Sequence, residues 1–251
     1  MPVNAASFLE AVRNQLDHIE TTQQAAIGAA GELVAASLAV GGVLQVFGTG
    51  HSEALAMELS GRAGGLIPTN KLALRDVILY GSADSSLLAD PKAERDPALA
   101  RMVWDLAPVS AGDVVVIGSQ SGGNGSTVEM ALIAKDAGHP VVAITSLAHS
   151  SGITSRHPSG KRLFELADVV IDNGAPYGDA VLPLPDSGSV CAISSIGNAV
   201  IAQLLVADIT ARLLMADLHP PIYLSANIAG GDKHNDEWEG RYTGKIRRAA
   251  F

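Results

Sequence analysis

Two short stretches carry most of the polar groups that could do chemistry. One is Gly48-Thr49-Gly50-His51-Ser52, and the other runs Gly118-Ser119-Gln120-Ser121-Gly122-Gly123-Asn124-Gly125. Glycines let backbone N–H groups approach a ligand, hydroxyls and amides donate hydrogen bonds, and a following helix adds partial positive charge. The pattern is that of an anion cradle, with Gly50, Ser52, Ser119, Gln120, Ser121 and Asn124 as its candidate contacts. The second loop has no Lys where a P-loop needs one, and it is not G-x-G-x-x-G. ATP and NAD are therefore not the expected occupants. A smaller oxyanion held by neutral donors fits better.

Acid–base candidates lie around these loops. His51, Leu55, Glu58 and Arg62 are spaced to share one helical face. Glu58 would stand roughly 10 Å along the axis from the first loop at about 1.5 Å per residue. A carboxylate there could act on carbons at the far end of a small sugar. The same spacing also makes a plain i,i+4 pair with Arg62. His157 lies in a long polar loop, Ser146 to Lys161, which also holds His149. His234 and Asn235 close the dense cluster Ser225 to Asn235. There His234 is either an acid/base reaching a site, including one on another subunit, or a helix-start residue beside a capping Asp232. Ser126-Thr127-Val128-Glu129 matches the capping box S-x-x-E, which would turn the Ser126 hydroxyl toward its own helix.

The elements that must position these groups alternate. Val114 to Ile117 is an unbroken branched run, as expected of a strand buried on both faces. Val43–Phe47, Val141–Thr145 and Ala167–Asp172 read alike, with a short strand at Leu66–Pro68 and a second short strand or irregular piece over Leu72–Tyr80. Helices are expected from Ala5 to Val40, Glu53 to Ala63, Pro97 to Leu106, Thr127 to Ala137 and Val190 to Met215, with a last one near the C-terminus. Asp84 to Arg95 reads as a polar loop, and Gly174 to Gly188 as a Pro/Gly-rich crossover. Strand, loop and helix in repetition predict an α/β fold with a parallel sheet, and ligands bind such sheets at the carboxyl ends of strands.

At 251 residues the chain suits a single domain. It is 47% hydrophobic but only 4% aromatic, so Ala, Val, Leu and Ile must build the core. A net charge of −9 leaves no basic face and argues against nucleic acid as a partner. It does not argue against a small anion, because the cradle works through neutral donors. The single Cys191, within S-V-C-A-I, reads as a small buried residue, and one cysteine permits neither a disulfide scaffold nor a zinc ribbon. With no secretory leader and no long uncharged apolar run, the expectation is a cytoplasmic protein with no membrane partner. The long N-terminal helix either packs across a partner subunit or covers its own sheet.

The motifs together resemble the SIS (sugar isomerase) domain. Gly118 to Gly122 resembles the phosphosugar loop in the isomerase half of glucosamine-6-phosphate synthase. Gly48 to Ser52 resembles that family's first phosphate loop, where the final Ser also touches phosphate. Glu58-Leu59-Ser60-Gly61-Arg62 is similar to the E-L-T-G-R segment of phosphoheptose isomerase, whose Glu is the catalytic base. The likeness covers about Val40 to Ala216. With Ser155–Leu163 and the G-G-D-K-H-N segment added, the whole chain is similar to stand-alone members.

The resemblance implies a three-layer αβα sandwich around a five-stranded parallel sheet of flavodoxin-like type. A helical segment over 1–40 precedes this core and a helical extension over 217–251 follows it. It further implies homodimers or homotetramers with pockets between subunits. The implied reaction is aldose–ketose isomerisation of an anionic sugar, phosphorylated or sulfonated, through an enediol and without a cofactor. Glu58 would be the base, and His234 or His51 would move the hydroxyl proton. Asn124 departs from the family's Thr. Ala54 replaces the His that metal-using phosphoheptose isomerases carry, so no metal site is expected. The C-terminal His pattern differs from the H-G-P type of the synthase. A non-catalytic phosphosugar sensor and an amino-sugar-phosphate lyase or etherase are the alternatives.

Overall fold

The computed structural model describes residues 2–248. In chain order the elements are α1 (Ala5–Thr22), α2 (Gln24–Ala39), β1 (Leu44–Gly48), α3 (Glu53–Leu59), β2 (Thr69–Leu72), α4 (Asp76–Leu79), α5 (Pro97–Leu106), β3 (Val114–Gly118), α6 (Gly125–Asp136) and β4 (Val141–Thr145). They continue with α7 (Leu147–Ser150), β5 (Val169–Asp172), β6 (Ala180–Pro183), β7 (Ser189–Ala192), α8 (Ser194–Met215) and α9 (Gly231–Gly240).

Five strands form one parallel sheet in the order β2-β1-β3-β4-β5. β1, β3 and β4 are buried at every position, which is why their sequences read as apolar runs and not as alternation. Successive residues still point to opposite faces. Leu44, Val46, Val114, Val116, Val142 and Ile144 join α2, α3 and α8 in one core. Phe47, Val115, Ile117, Val141 and Ala143 join residues of α4, α5 and α6 in the other. The fold is thus a three-layer α/β sandwich with helices on both sides of the sheet.

Several local expectations are corrected. The N-terminal helix is two helices, parted at Gln23. The Gln23 side chain accepts a hydrogen bond from the Asp172 amide at 2.9 Å, which ties the break to the end of β5. Leu66–Pro68 is no strand. Leu66 makes a lone antiparallel bridge with Ile222, and the edge strand starts at Thr69. The second short strand expected over Leu72–Tyr80 is instead the short α4. α3 stops at Leu59 because Ser60 is extended. The crossover and the first residues of the last long helix fold into an antiparallel β6–β7 hairpin that stands off the main sheet. Cys191 therefore sits exposed on β7 with φ of 66°, not buried. By length and composition α8 is apolar enough to cross a bilayer, but its apolar residues Ile201, Leu205, Ile209 and Leu213 are buried in the core.

Candidate functional site

The two polar loops leave adjacent parallel strands. Gly48 pairs with Gly118 in register, so the loops emerge side by side at one carboxyl edge. Gly122 takes φ of +61°, a conformation that favours glycine, and this curls the second loop back on itself. The Ser119 hydroxyl accepts a hydrogen bond from the Gly122 amide at 3.1 Å and stabilises the curl. Among the described residues, the amides of Gly125, Ser126 and Thr127 open α6 with no protein acceptor. Such amides at a helix start are an anion-binding feature.

One carboxylate already uses part of this cradle. Glu94 Oε2 accepts from the Thr49 hydroxyl at 2.8 Å, and Glu94 Oε1 accepts from the Asn124 amide at 2.8 Å. Ser126 Oγ donates to the Glu94 carbonyl at 2.7 Å. A side chain at Gly125 would meet the Arg95 carbonyl at 2.0 Å, so this strap lies directly across the start of α6. Ser126 is thereby corrected. Its hydroxyl serves the strap, and no capping box forms. Ser52 likewise makes no cap bond on α3. Asn124 Oδ1 accepts from Arg156 at 3.1 Å.

Beneath the loop, Gln120 turns inward. Its Oε1 accepts from Asn173 Nδ2 at 3.0 Å, and Asn173 also donates to Asn198 at 3.0 Å. Gln120 Nε2 is buried without a partner. Ser121 and Ser52 are half-buried, while Gly50 and His51 are exposed at the entry to α3.

The other candidates stand apart from the loops. Glu58 lies on α3, ion-paired with Arg62 and accepting from Gln203 Nε2 at 2.6 Å. It is not a buried carboxylate. Its side chain is 24% exposed and faces an open groove formed with Ala199, Val200 and Leu204 of α8. His157 clips its loop to α6: Nε2 meets Glu129 Oε2 at 2.9 Å, and Nδ1 accepts from the Ser159 amide at 3.1 Å. His234 Nε2 donates to the Ile222 carbonyl at 2.9 Å. The Asn235 side chain makes both hydrogen bonds to the Leu224 backbone, each at 2.9 Å. No group of three or more His, Cys, Asp or Glu side chains is placed to hold a metal among the described residues.

Sequence reading missed Thr49, Glu94 and Arg156. Thr49 sat within the quoted loop, so its type was a usable signal. Glu94 had none, because a polar loop between two helices does not say which carboxylate folds back.

Comparisons with known proteins bear on the family and the fold. A family profile described as SIS domain matches residues 7–146. A UPF0309 protein of Caldanaerobacter subterraneus subsp. tengcongensis is 36% identical over 244 residues, covering 96% of this chain and 98% of that one. A UPF0309 protein of Halalkalibacterium halodurans is 38% identical over 229 residues, covering 90% and 93%. Among solved structures, a phosphoheptose isomerase from Francisella tularensis shares the fold with a TM-score of 0.56 at 16% identity, covering 81% of this chain and 95% of that one. The strand order, the paired loops at the carboxyl edge and the profile match converge, and the chain belongs to the SIS domain family.

Proposed function

We propose that the protein interconverts the aldose and ketose forms of a small sugar bearing a terminal oxyanion, phosphate or sulfonate. The observation that carries this reading is the register of Gly48 with Gly118. It sets two loops of hydroxyls and amides side by side, next to the unpaired amides that start α6 beneath the Glu94–Arg95 strap.

In this reading the anion sits against Ser119, Ser121 and the Gly125–Thr127 amides. Ser52 and Asn124 complete the shell once Glu94 moves aside. The carbon chain runs along α3, and Glu58 lies about 10 Å from the loop at roughly 1.5 Å rise per residue. Glu58 takes the proton from C2 and returns it to C1 through the enediol, as a general base and then a general acid. Arg62 and Gln203 fix its orientation. His51, exposed at the entry to α3, moves the hydroxyl proton. His234 keeps its Nε2–H on a backbone carbonyl and is not assigned that step here.

The test is incubation in D₂O with hexose, heptose and amino-sugar phosphates and with sulfonated sugars, followed by NMR. Deuterium at C2 together with new ketose signals is expected for the true substrate. Glu58→Gln should retain binding and lose about a hundredfold or more of the exchange, the usual scale of an acid–base residue. Normal exchange in that variant would overturn the mechanism. Binding without exchange on any sugar would indicate a sensor, and release of a fragment would indicate a lyase or etherase.

A further inference from the structure

A well-formed cavity lies away from the two loops. It has a volume of about 450 Å³, within the range of small-molecule sites. It opens at the free edge of β2, between the end of α3, α4 and the C-terminal extension. No residue of either polar loop lines it.

Its walls are cationic in a chain of net charge −9. Arg62, Lys71, Arg75 and Arg247 all line it. The acids that balance the first three lie outside the cavity. Arg62 pairs with Glu58, and Lys71 and Arg75 share the single carboxylate of Glu53. Arg247 is held in place by its backbone amide on Asn70 Oδ1 at 2.8 Å and by its guanidinium over the Tyr80 ring at 4.3 Å. It reaches the Asp76 carboxylate only at 3.9 Å, and among the described residues its Nη1 has no hydrogen-bond partner. Ser60 Oγ, also on the wall, is buried without a partner. Of the acids inside, Glu239 is already engaged by the Tyr223 hydroxyl at 2.9 Å and by Arg248 at 2.8 Å.

The wall also includes the polar cluster that the loop site leaves unused. Ser225, Asn227 and Asp232 line it, and Asn235 clamps the Leu224 backbone so that this segment keeps its shape. The cavity thus presents both positive charge and neutral and acidic groups that can bind hydroxyls. Carboxylates and phosphates are matched by the first set, and a polyol chain by the second.

We propose that this cavity is a second binding site, specific for a small polyhydroxylated oxyanion. The anion sits on Lys71, Arg75 and Arg247, and the hydroxyls meet Asn227 and Asp232. Arg62 connects this site to Glu58, so an occupant that draws on Arg62 changes the restraint on that carboxylate. The binding claim itself does not depend on the reaction proposed above.

The experiment is calorimetric titration of the full chain with glucose 6-phosphate, alongside the Lys71→Gln/Arg75→Gln double variant and Ser121→Ala. The proposal expects a saturable component that weakens at least tenfold in the double variant and persists in Ser121→Ala. A wild-type titration with no component sensitive to the double substitution overturns it. Amide chemical shifts on the unmodified protein give an independent check. Shifts at Ser225–Asn227 on adding glucose 6-phosphate support the site, and shifts confined to residues 119–127 refute it whatever the variants do.

Discussion

The amide of Asn124 donates to the carboxylate of Glu94 at 2.8 Å, so a residue proposed to meet a substrate anion is held by an anion of the protein itself. The Thr49 hydroxyl makes the matching bond to the other carboxylate oxygen. A ligand using these donors must first displace Glu94. Hydrogen bonds to charged groups contribute about 1.5–3 kcal/mol each, and about 1.4 kcal/mol is a tenfold change in affinity. Glu94→Ala should therefore tighten binding of an anionic sugar by roughly tenfold or more, read by titration calorimetry. Unchanged or weaker binding would mean that the strap holds the loop in its competent shape and does not compete with the ligand.

Much of the fold was legible in the sequence because both signals were local. Val114–Ile117 and Val141–Thr145 are short branched runs, and a parallel strand covered on both faces needs little else. The placement of the two loops was legible for the same reason, since each follows directly on an apolar strand run. What the sequence withheld depends on distant partners. Ser126 fits a capping box by spacing, yet its hydroxyl is taken by the Glu94 carbonyl, 32 residues away. Glu58 and Arg62 sit at the spacing of an ordinary helix pair, and nothing local reveals that Gln203 of α8 completes the arrangement. Cys191 looked buried because its neighbours are apolar, but those neighbours belong to a hairpin that leaves the sheet.

His234 tests the difference between a motif and a role. Its Nε2–H is committed to the Ile222 carbonyl at 2.9 Å, and its ring lies 6.3 Å from that of Trp238. The first contact fastens α9 to the segment that bridges Leu66, and the second lies within α9 itself. His234→Ala should lower stability by about 1–2 kcal/mol, the scale of a lost hydrogen bond that strands a partly buried carbonyl. Deuterium exchange into substrate, measured per folded chain below the melting range, should stay near wild type. A variant that melts normally but loses exchange would instead make His234 the second acid–base group.

Asp113 is the larger structural liability. It is 1% exposed and its carboxylate serves three donors: the Val43 amide at 2.8 Å, Gln45 Nε2 at 2.8 Å and the Ser110 amide at 2.9 Å. It locks the starts of β1 and β3 together, and with them the register that aligns Gly48 with Gly118. Asp113→Ala would leave these donors buried and unsatisfied at about 1–3 kcal/mol each. A total loss of roughly 3 kcal/mol or more is expected in urea denaturation, with a matching loss of ligand binding as the loops fall out of alignment. Denaturation near the wild-type midpoint would show that water replaces the carboxylate at little cost.

His149 should make stability depend on pH in a defined direction. Burial holds its pKa below the ordinary 6.5, and nearby Arg156 pushes the same way, while Asp179 opposes them. The neutral ring accepts a hydrogen bond from the Gly178 amide at 3.3 Å and lies 4.8 Å from the Tyr177 ring. A base with a depressed folded pKa binds fewer protons folded than unfolded, so acidification favours the unfolded chain. Its contribution is fully present above pH 6.5 and is lost as pH falls from there through the lower folded value. The His149 ring proton should titrate by NMR with a midpoint below 6.5. The melting temperature should fall as the pH drops below about 6.5. His149→Gln, which cannot take up the proton, should fall less over the same interval. A midpoint at or above 6.5 would show that Asp179 outweighs burial, and the stability slope from this residue would then vanish or reverse.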